Sequence, residues 1–241
     1  MSPSGHPDPG HPSRSHRVFE TVRSHVRPGS FPLLLAASLI LYLLNGAAID
    51  SPVAVVLAHL ARAGVVGACL YVLSASRPTL YVGLLVAGII VGFDARLWSL
   101  APRASRVVRD GLTVSFQVWV LVVVLREVFR RETRELDAVF GALAGFLLLV
   151  MIFMGVHGLL EALTPGSYFA QGPPFGERTE ADLNATFQYF STVTLTTVGF
   201  GDIVPVAPGA RLVTGLEAIL GQLYLAVVVA TLVGRVAARR D

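Results

Sequence analysis

The chain has 241 residues, 54% of them hydrophobic and only 15% charged, with a mean hydropathy of +0.66. A soluble domain of this length carries far more charge, so a water-soluble enzyme is excluded. The net charge of +3 rests on arginine alone, because the 19 basic residues include no lysine. These arginines flank apolar runs, which marks membrane orientation and not a nucleic-acid footprint.

In chain order, residues 1–30 are rich in Pro, Ser, Gly, His and Arg and read as a disordered cytoplasmic tail. The intervals of five and nine residues separating His6, His11, His16 and His25 do not suit a compact metal site. Nor is the tail a cleavable signal peptide, since apolar runs begin only after about thirty residues and several follow. Spans of about 20 apolar residues cross membranes as helices, which satisfy their own backbone in lipid. Six such runs occur, at 32–48, 53–74, 79–99, 107–126, 138–163 and 212–235. The expected domains are the tail 1–30, a four-helix membrane domain 31–126, a cytoplasmic linker helix 127–137 and a final domain 138–241.

Arginine placement sets the topology. Arg14, Arg17, Arg23 and Arg27 precede the first run, and Arg77 follows the second. Arg126, Arg130, Arg131 and Arg134 follow the fourth, and Arg235, Arg239 and Arg240 follow the sixth. With both termini cytoplasmic, all of these lie inside. Cys69 is a lone thiol within the second run and reads as packing.

Arg103, Arg106 and Arg109 recur every third residue at the start of the fourth run, the spacing of a charged sensor helix. Moving one charge across 100 mV supplies about 2.3 kcal/mol, so steep voltage sensing needs several charges per subunit. Here residues 111–125 carry none, and Asp110 offsets one arginine. The second run holds Arg62, and counting helical rise places it near the depth of Asp94. The expectation is a structural Arg62–Asp94 pair, shared with Arg109, and weak or absent voltage gating.

The tightest constraint is Thr194-Leu195-Thr196-Thr197-Val198-Gly199-Phe200-Gly201-Asp202. Glycine at alternate positions lets the backbone take positive φ cheaply, which a strand with successive carbonyls facing one way requires. Ahead of it, 182–193 has a polar start and an aromatic body, as a short helix needs. The C-terminal end of that helix would present the negative pole of its dipole to a cation.

This segment resembles the selectivity filter of the potassium channel superfamily, in the prokaryotic six-helix, single-pore-loop form. The resemblance is specific over about 138–238; the first four helices match in number only. It implies an all-α membrane protein with a re-entrant pore helix and filter loop between helices five and six. The carbonyls of Thr197, Val198, Gly199, Phe200 and Gly201 would ligate K+, with the Thr197 hydroxyl innermost and Asp202 at the outer mouth. Tyr189 and Phe190 would pack around the filter from the pore helix. Phe200 replaces the family's tyrosine, so a filter held more by packing than by a hydrogen bond is expected.

In the last helix, Gly221 falls at the gating-hinge position, and is equally readable as a site of close helix packing. Glu217 precedes it by one turn, and an acid within a span needs a partner or water. It is expected to be buried and to accept hydrogen bonds from Ser191 or Thr192. His157 in the fifth run reads as a hydrogen-bonded packing residue.

One filter copy implies a homotetramer, with K+ as the permeating ion and no organic cofactor, and the all-arginine composition without organellar signals suits a bacterial plasma membrane. Only seven residues follow Gly234, so no cytoplasmic gating ring is expected. The alternatives are a voltage-gated potassium channel, a potassium transporter subunit, and a non-conducting accessory or sensory membrane protein.

Overall fold

The computed structural model describes residues 29–47, 52–73, 80–81, 83–85, 88, 102–130 and 133–237, with some side chains within these ranges left undescribed. The helices are α1 (Phe31–Gly46), α2 (Pro52–Leu73), α3 (Pro102–Val128), α4 (Glu135–Leu163), α5 (Glu180–Leu195) and α6 (Pro208–Ala237). Short strands β1 (Tyr168–Ala170) and β2 (Ile203–Pro205) flank α5. They pair antiparallel, with Phe169 opposite Val204. The third apolar run, 79–99, falls mostly outside the described residues; positions 80–81, 83–85 and 88 are helical.

Among the described residues, three helices are long and apolar enough to cross a membrane, Val107–Val128, Glu135–Leu163 and Pro208–Thr231. The 29 residues of α4 rise about 43 Å, more than a bilayer core needs. The apolar stretches Phe31–Gly46 and Leu60–Val72 are shorter. The expected linker helix 127–137 is not a separate element: α3 continues to Val128, α4 begins at Glu135, and Phe129, Arg130, Thr133 and Arg134 between them are not helical. With Arg131 and Glu132 undescribed, the pair found at this turn is Arg130 to Glu127, 3.8 Å apart. Alternating charge predicts a polar helix face, but the tertiary turn overrides it.

Helix α4 is the hub, packed by α1, α3, α5 and α6. Small residues on it set the approach distances. A Cβ on Gly141 would lie 2.7 Å from Val128, and one on Gly155 would lie 2.6 Å from Val114. A Cβ on Gly145 would meet the Tyr224 hydroxyl at 2.6 Å. Without the hydrophobic drive available in water, such close van der Waals approach is the main attraction between membrane helices. Tyr224 donates its hydroxyl proton to the Ala142 carbonyl, and this ties α6 to α4.

A second, smaller core covers α5. Tyr168, Phe175, Phe187, Phe190, Ile203 and Ala210 are buried together. The rings of Phe175 and Phe187 stack with centroids 5.3 Å apart and planes at 11°. The loop strands are thus clamped onto one face of α5, and this fixes the segment that follows it.

Candidate functional site

Helix α5 starts at a Thr179 cap whose hydroxyl accepts from the Asp182 amide at 3.2 Å, and acids Glu180 and Asp182 occupy its positive end. It ends at Leu195, where the Thr196 amide bonds the Thr192 carbonyl at 3.1 Å. The chain then leaves in an extended loop. φ is +59° at Thr197, +53° at Gly199 and +77° at Gly201, and negative at Val198 and Phe200 between them. Glycine carries two of the three positive angles without strain, whereas Thr197 adopts one that its branched Cβ disfavours.

The Val198 and Gly199 amides both donate to the Val193 carbonyl, at 2.9 and 3.2 Å, which holds the loop against the end of α5. Among the described residues, none of the carbonyls from Thr197 to Gly201 accepts a hydrogen bond. A row of backbone oxygens without internal partners must find another electropositive partner. At the inner end, Gln222 on α6 donates to the Thr197 hydroxyl at 3.4 Å.

At the outer end, Tyr189 donates its hydroxyl proton to Asp202 Oδ2 at 2.7 Å, and its ring lies parallel to Phe200 with centroids 6.4 Å apart. The expectation of a segment held more by packing than by a hydrogen bond does not include this bond, which stands beside the ring contact. The phenol missing at position 200 is supplied from α5, nearly two turns before the helix ends. Phe190, on the opposite side, is buried in the smaller core.

Glu217 on α6 is wholly buried. Its Oε1 accepts from the Ser191 hydroxyl at 2.6 Å, and its Oε2 lies 2.7 Å from His157 Nε2. The other ring nitrogen, Nδ1, is 2.6 Å from the Tyr168 hydroxyl. Burial first, then the negative charges of Glu217 and Glu161, push the Tyr168 phenol above its usual range. The sequence placed Ser191 beside Glu217 but treated His157 separately. The missed signal is that two ionisable residues within the membrane each need a partner, and each supplies the other's.

Gly221 fits close packing: a Cβ there would sit 2.3 Å from the Leu195 carbonyl oxygen and 2.9 Å from its Cα. Helix α6 passes through this point unbroken.

Arg62 and Arg109 do converge, but on a residue the sequence reading had not singled out. Glu180 Oε1 lies 3.1 Å from Arg109 Nη2 and 3.6 Å from Arg62 Nη1. Arg109 Nε also bonds Asp110 at 2.9 Å. Asp94 lies outside the described residues, as do the side chains of Arg103 and Arg106. Counting rise along a helix gives depth but not which neighbour stands at that depth, and here the neighbour is the first turn of α5. Helix α1 reaches the same helix: Gln188 donates to the Tyr42 carbonyl at 2.8 Å, and the Tyr42 hydroxyl is 3.1 Å from that of Thr192.

Residues 177–238, covering α5, the loop and α6, match the family described as "Ion channel". The chain therefore carries an ion-channel pore segment. A potassium voltage-gated channel protein, shk-1, of Caenorhabditis elegans is 42% identical over 86 residues, 35% of this chain and 15% of that protein. The voltage-gated potassium channel Kch of Escherichia coli (strain K12) is 33% identical over 103 residues, 42% of this chain and 22% of the relative. The pore segment belongs to the potassium channel superfamily. The aligned stretch spans less than a quarter of either relative's length. No solved structure matches the chain significantly.

Proposed function

We propose that the protein is a potassium-selective channel that conducts K+ passively across a bacterial plasma membrane as a homotetramer. The observation that carries this is the row of five unpartnered carbonyls, Thr197 to Gly201, on a backbone whose φ alternates in sign. Such a row can replace an ion's hydration shell only when several copies surround one axis. Exposed Leu216, Ile219, Leu220, Leu223 and Val227 on α6 support the assembly, since an isolated chain leaves them uncovered.

In this reading, the chain crosses the membrane six times with both termini cytoplasmic, and α5 with its loop forms the re-entrant pore segment. Residues 31–126 form the four-helix domain and 138–241 the pore domain. Thr197, Val198, Gly199, Phe200 and Gly201 ligate K+, Asp202 forms the outer mouth, and Tyr189, Phe190 and Glu217 support the pore helix. Gly221 lets the inner helix touch the pore helix, and a bend there would serve as the gating hinge.

Both relatives are named as voltage-gated. A voltage-gated channel is therefore the second reading, with Arg103, Arg106 and Arg109 as sensor charges. Against it, Arg109 is held by Glu180 on the pore helix and by its neighbour Asp110, which suits an anchor better than a mobile charge. A transporter subunit would need further filter copies, and the one copy here stands against it.

Liposomes loaded with K+, containing the purified protein and diluted into Na+ medium, test the proposal. Radioactive rubidium should accumulate inside, driven by the outward K+ gradient. Equal accumulation from Na+-loaded vesicles would overturn the proposal.

A further inference from the structure

Tyr168, His157, Glu217 and Ser191 come from four different elements, β1, α4, α6 and α5, and meet in one buried chain of hydrogen bonds. The protons in that chain can be counted. Ser191 donates to Oε1 of Glu217, and Tyr168 has one hydroxyl proton whose only partner among the described residues is His157 Nδ1. If Nδ1 carried a proton, the Tyr168 proton would be left buried and unpaired, a costly state. So Tyr168 donates to Nδ1, the ring proton sits on Nε2 and donates to Oε2, and Glu217 is an acceptor at both oxygens. An acceptor at both oxygens is a carboxylate.

Among the described residues, no arginine answers that charge: the ion pairs of Arg62, Arg109, Arg130 and Arg178 lie elsewhere, and His157 is the only charge-capable group bonded to Glu217. Glu161, the remaining acid near Tyr168, accepts from the backbone amides of Gly166 and Tyr168 and adds negative charge. The carboxylate is level with the last turns of α5: it bonds Ser191, two residues before the Val193 carbonyl that anchors the loop. One turn further along α6, Gly221 rests on Leu195.

We infer that this relay keeps Glu217 ionised behind the pore helix, and that its charge, acting from outside the water-filled pathway, draws K+ into the pore in addition to the carbonyl row. The inference rests on the channel reading. In a low-dielectric surrounding a buried charge acts strongly and over distance, and added salt does not screen it as it screens a surface charge. The positive counterpart that this carboxylate lacks among the described side chains is then the permeating ion. Glu217 is a positioning and electrostatic residue and does not touch K+.

The test compares single-channel conductance against K+ concentration for the native protein and Glu217→Gln. Glutamine keeps the shape: its carbonyl oxygen can accept from His157 Nε2–H as before and its amide nitrogen can donate to the Ser191 oxygen, so the change removes charge and leaves the link. The K+ concentration for half-maximal conductance should rise about fivefold, with selectivity over Na+ retained and the shift persisting at high impermeant salt. An unchanged concentration dependence in a variant that still selects K+ would overturn the inference and leave the channel reading intact. A native protein that passes no K+ current would instead remove the channel reading. Independently of any variant, nitrogen NMR of the histidine-labelled native protein should show His157 as a neutral ring with its proton on Nε2. A doubly protonated ring, or a proton on Nδ1, would overturn the relay.

Discussion

Tyr189 and Asp202 are joined by a 2.7 Å hydrogen bond that crosses from the pore helix to the residue just beyond the carbonyl row. The Tyr189 ring also lies parallel to Phe200, so one side chain braces two consecutive positions of the loop. Tyr189→Phe keeps the ring and removes the bond. Current through this variant should decline faster during sustained opening, and most visibly at low external K+. The decay time constant in bilayer recordings checks this, and an unchanged constant would count against the brace.

Gly221 admits no side chain without displacing backbone, because the atoms in the way are the Leu195 carbonyl and Cα. Gly221→Ala should lower stability by about 1–3 kcal/mol, the usual cost of overfilling a packed site. Thermal unfolding in detergent measures this. If glycine is needed only for bending, the alanine variant would be as stable as the native protein and altered in opening alone.

The sequence made the pore segment legible because its constraints are local. Thr179 as cap, acids in the first turn, an aromatic body and alternating glycines all act within a few residues, and the bounds of α5 differ from the expected 182–193 by only two residues at each end. What could not be read was pairing across distance. His157 and Glu217 are 60 residues apart, and nothing in a one-dimensional string says that α4 and α6 meet there. Arg62 was matched by depth to Asp94, which lies outside the described residues, and the acid that helix packing brings within reach among the described residues is Glu180. Tyr189 was taken for packing because its partner, Asp202, lies across a turn whose geometry depends on Gly199 and Gly201.

Glu180 ties both Arg62 and Arg109 to the first turn of the pore helix. All three side chains are partly exposed, so the coupling should be modest. A double-mutant cycle on Arg109→Gln and Glu180→Gln should give about 0.5–1 kcal/mol of interaction. Unfolding in detergent at two salt concentrations checks both the size and its decline as salt rises.

If Arg109 anchors and does not sense, replacing Arg103, Arg106 and Arg109 with glutamine leaves the conductance–voltage relation unchanged. Patch recordings across a wide voltage range check this. A shifted midpoint or lost steepness would make the voltage-gated reading the better one.

In the proposed tetramer, potassium itself should stabilise the assembly, because carbonyls facing one axis would repel one another with no cation between them. At a concentration about one hundred times the dissociation constant, a ligand bound only by the folded state adds about 2.7 kcal/mol. Replacing K+ with Na+ should therefore lower the temperature at which the tetramer dissociates on a gel, and equal stability in the two salts would argue against a cation-filled filter.

The most direct measurement is the reversal potential of the purified protein in a planar bilayer with K+ on one side and an equal concentration of Na+ on the other. A large potential close to the K+ equilibrium value is predicted. Current that reverses with no applied voltage, showing that both ions pass equally, would contradict the account.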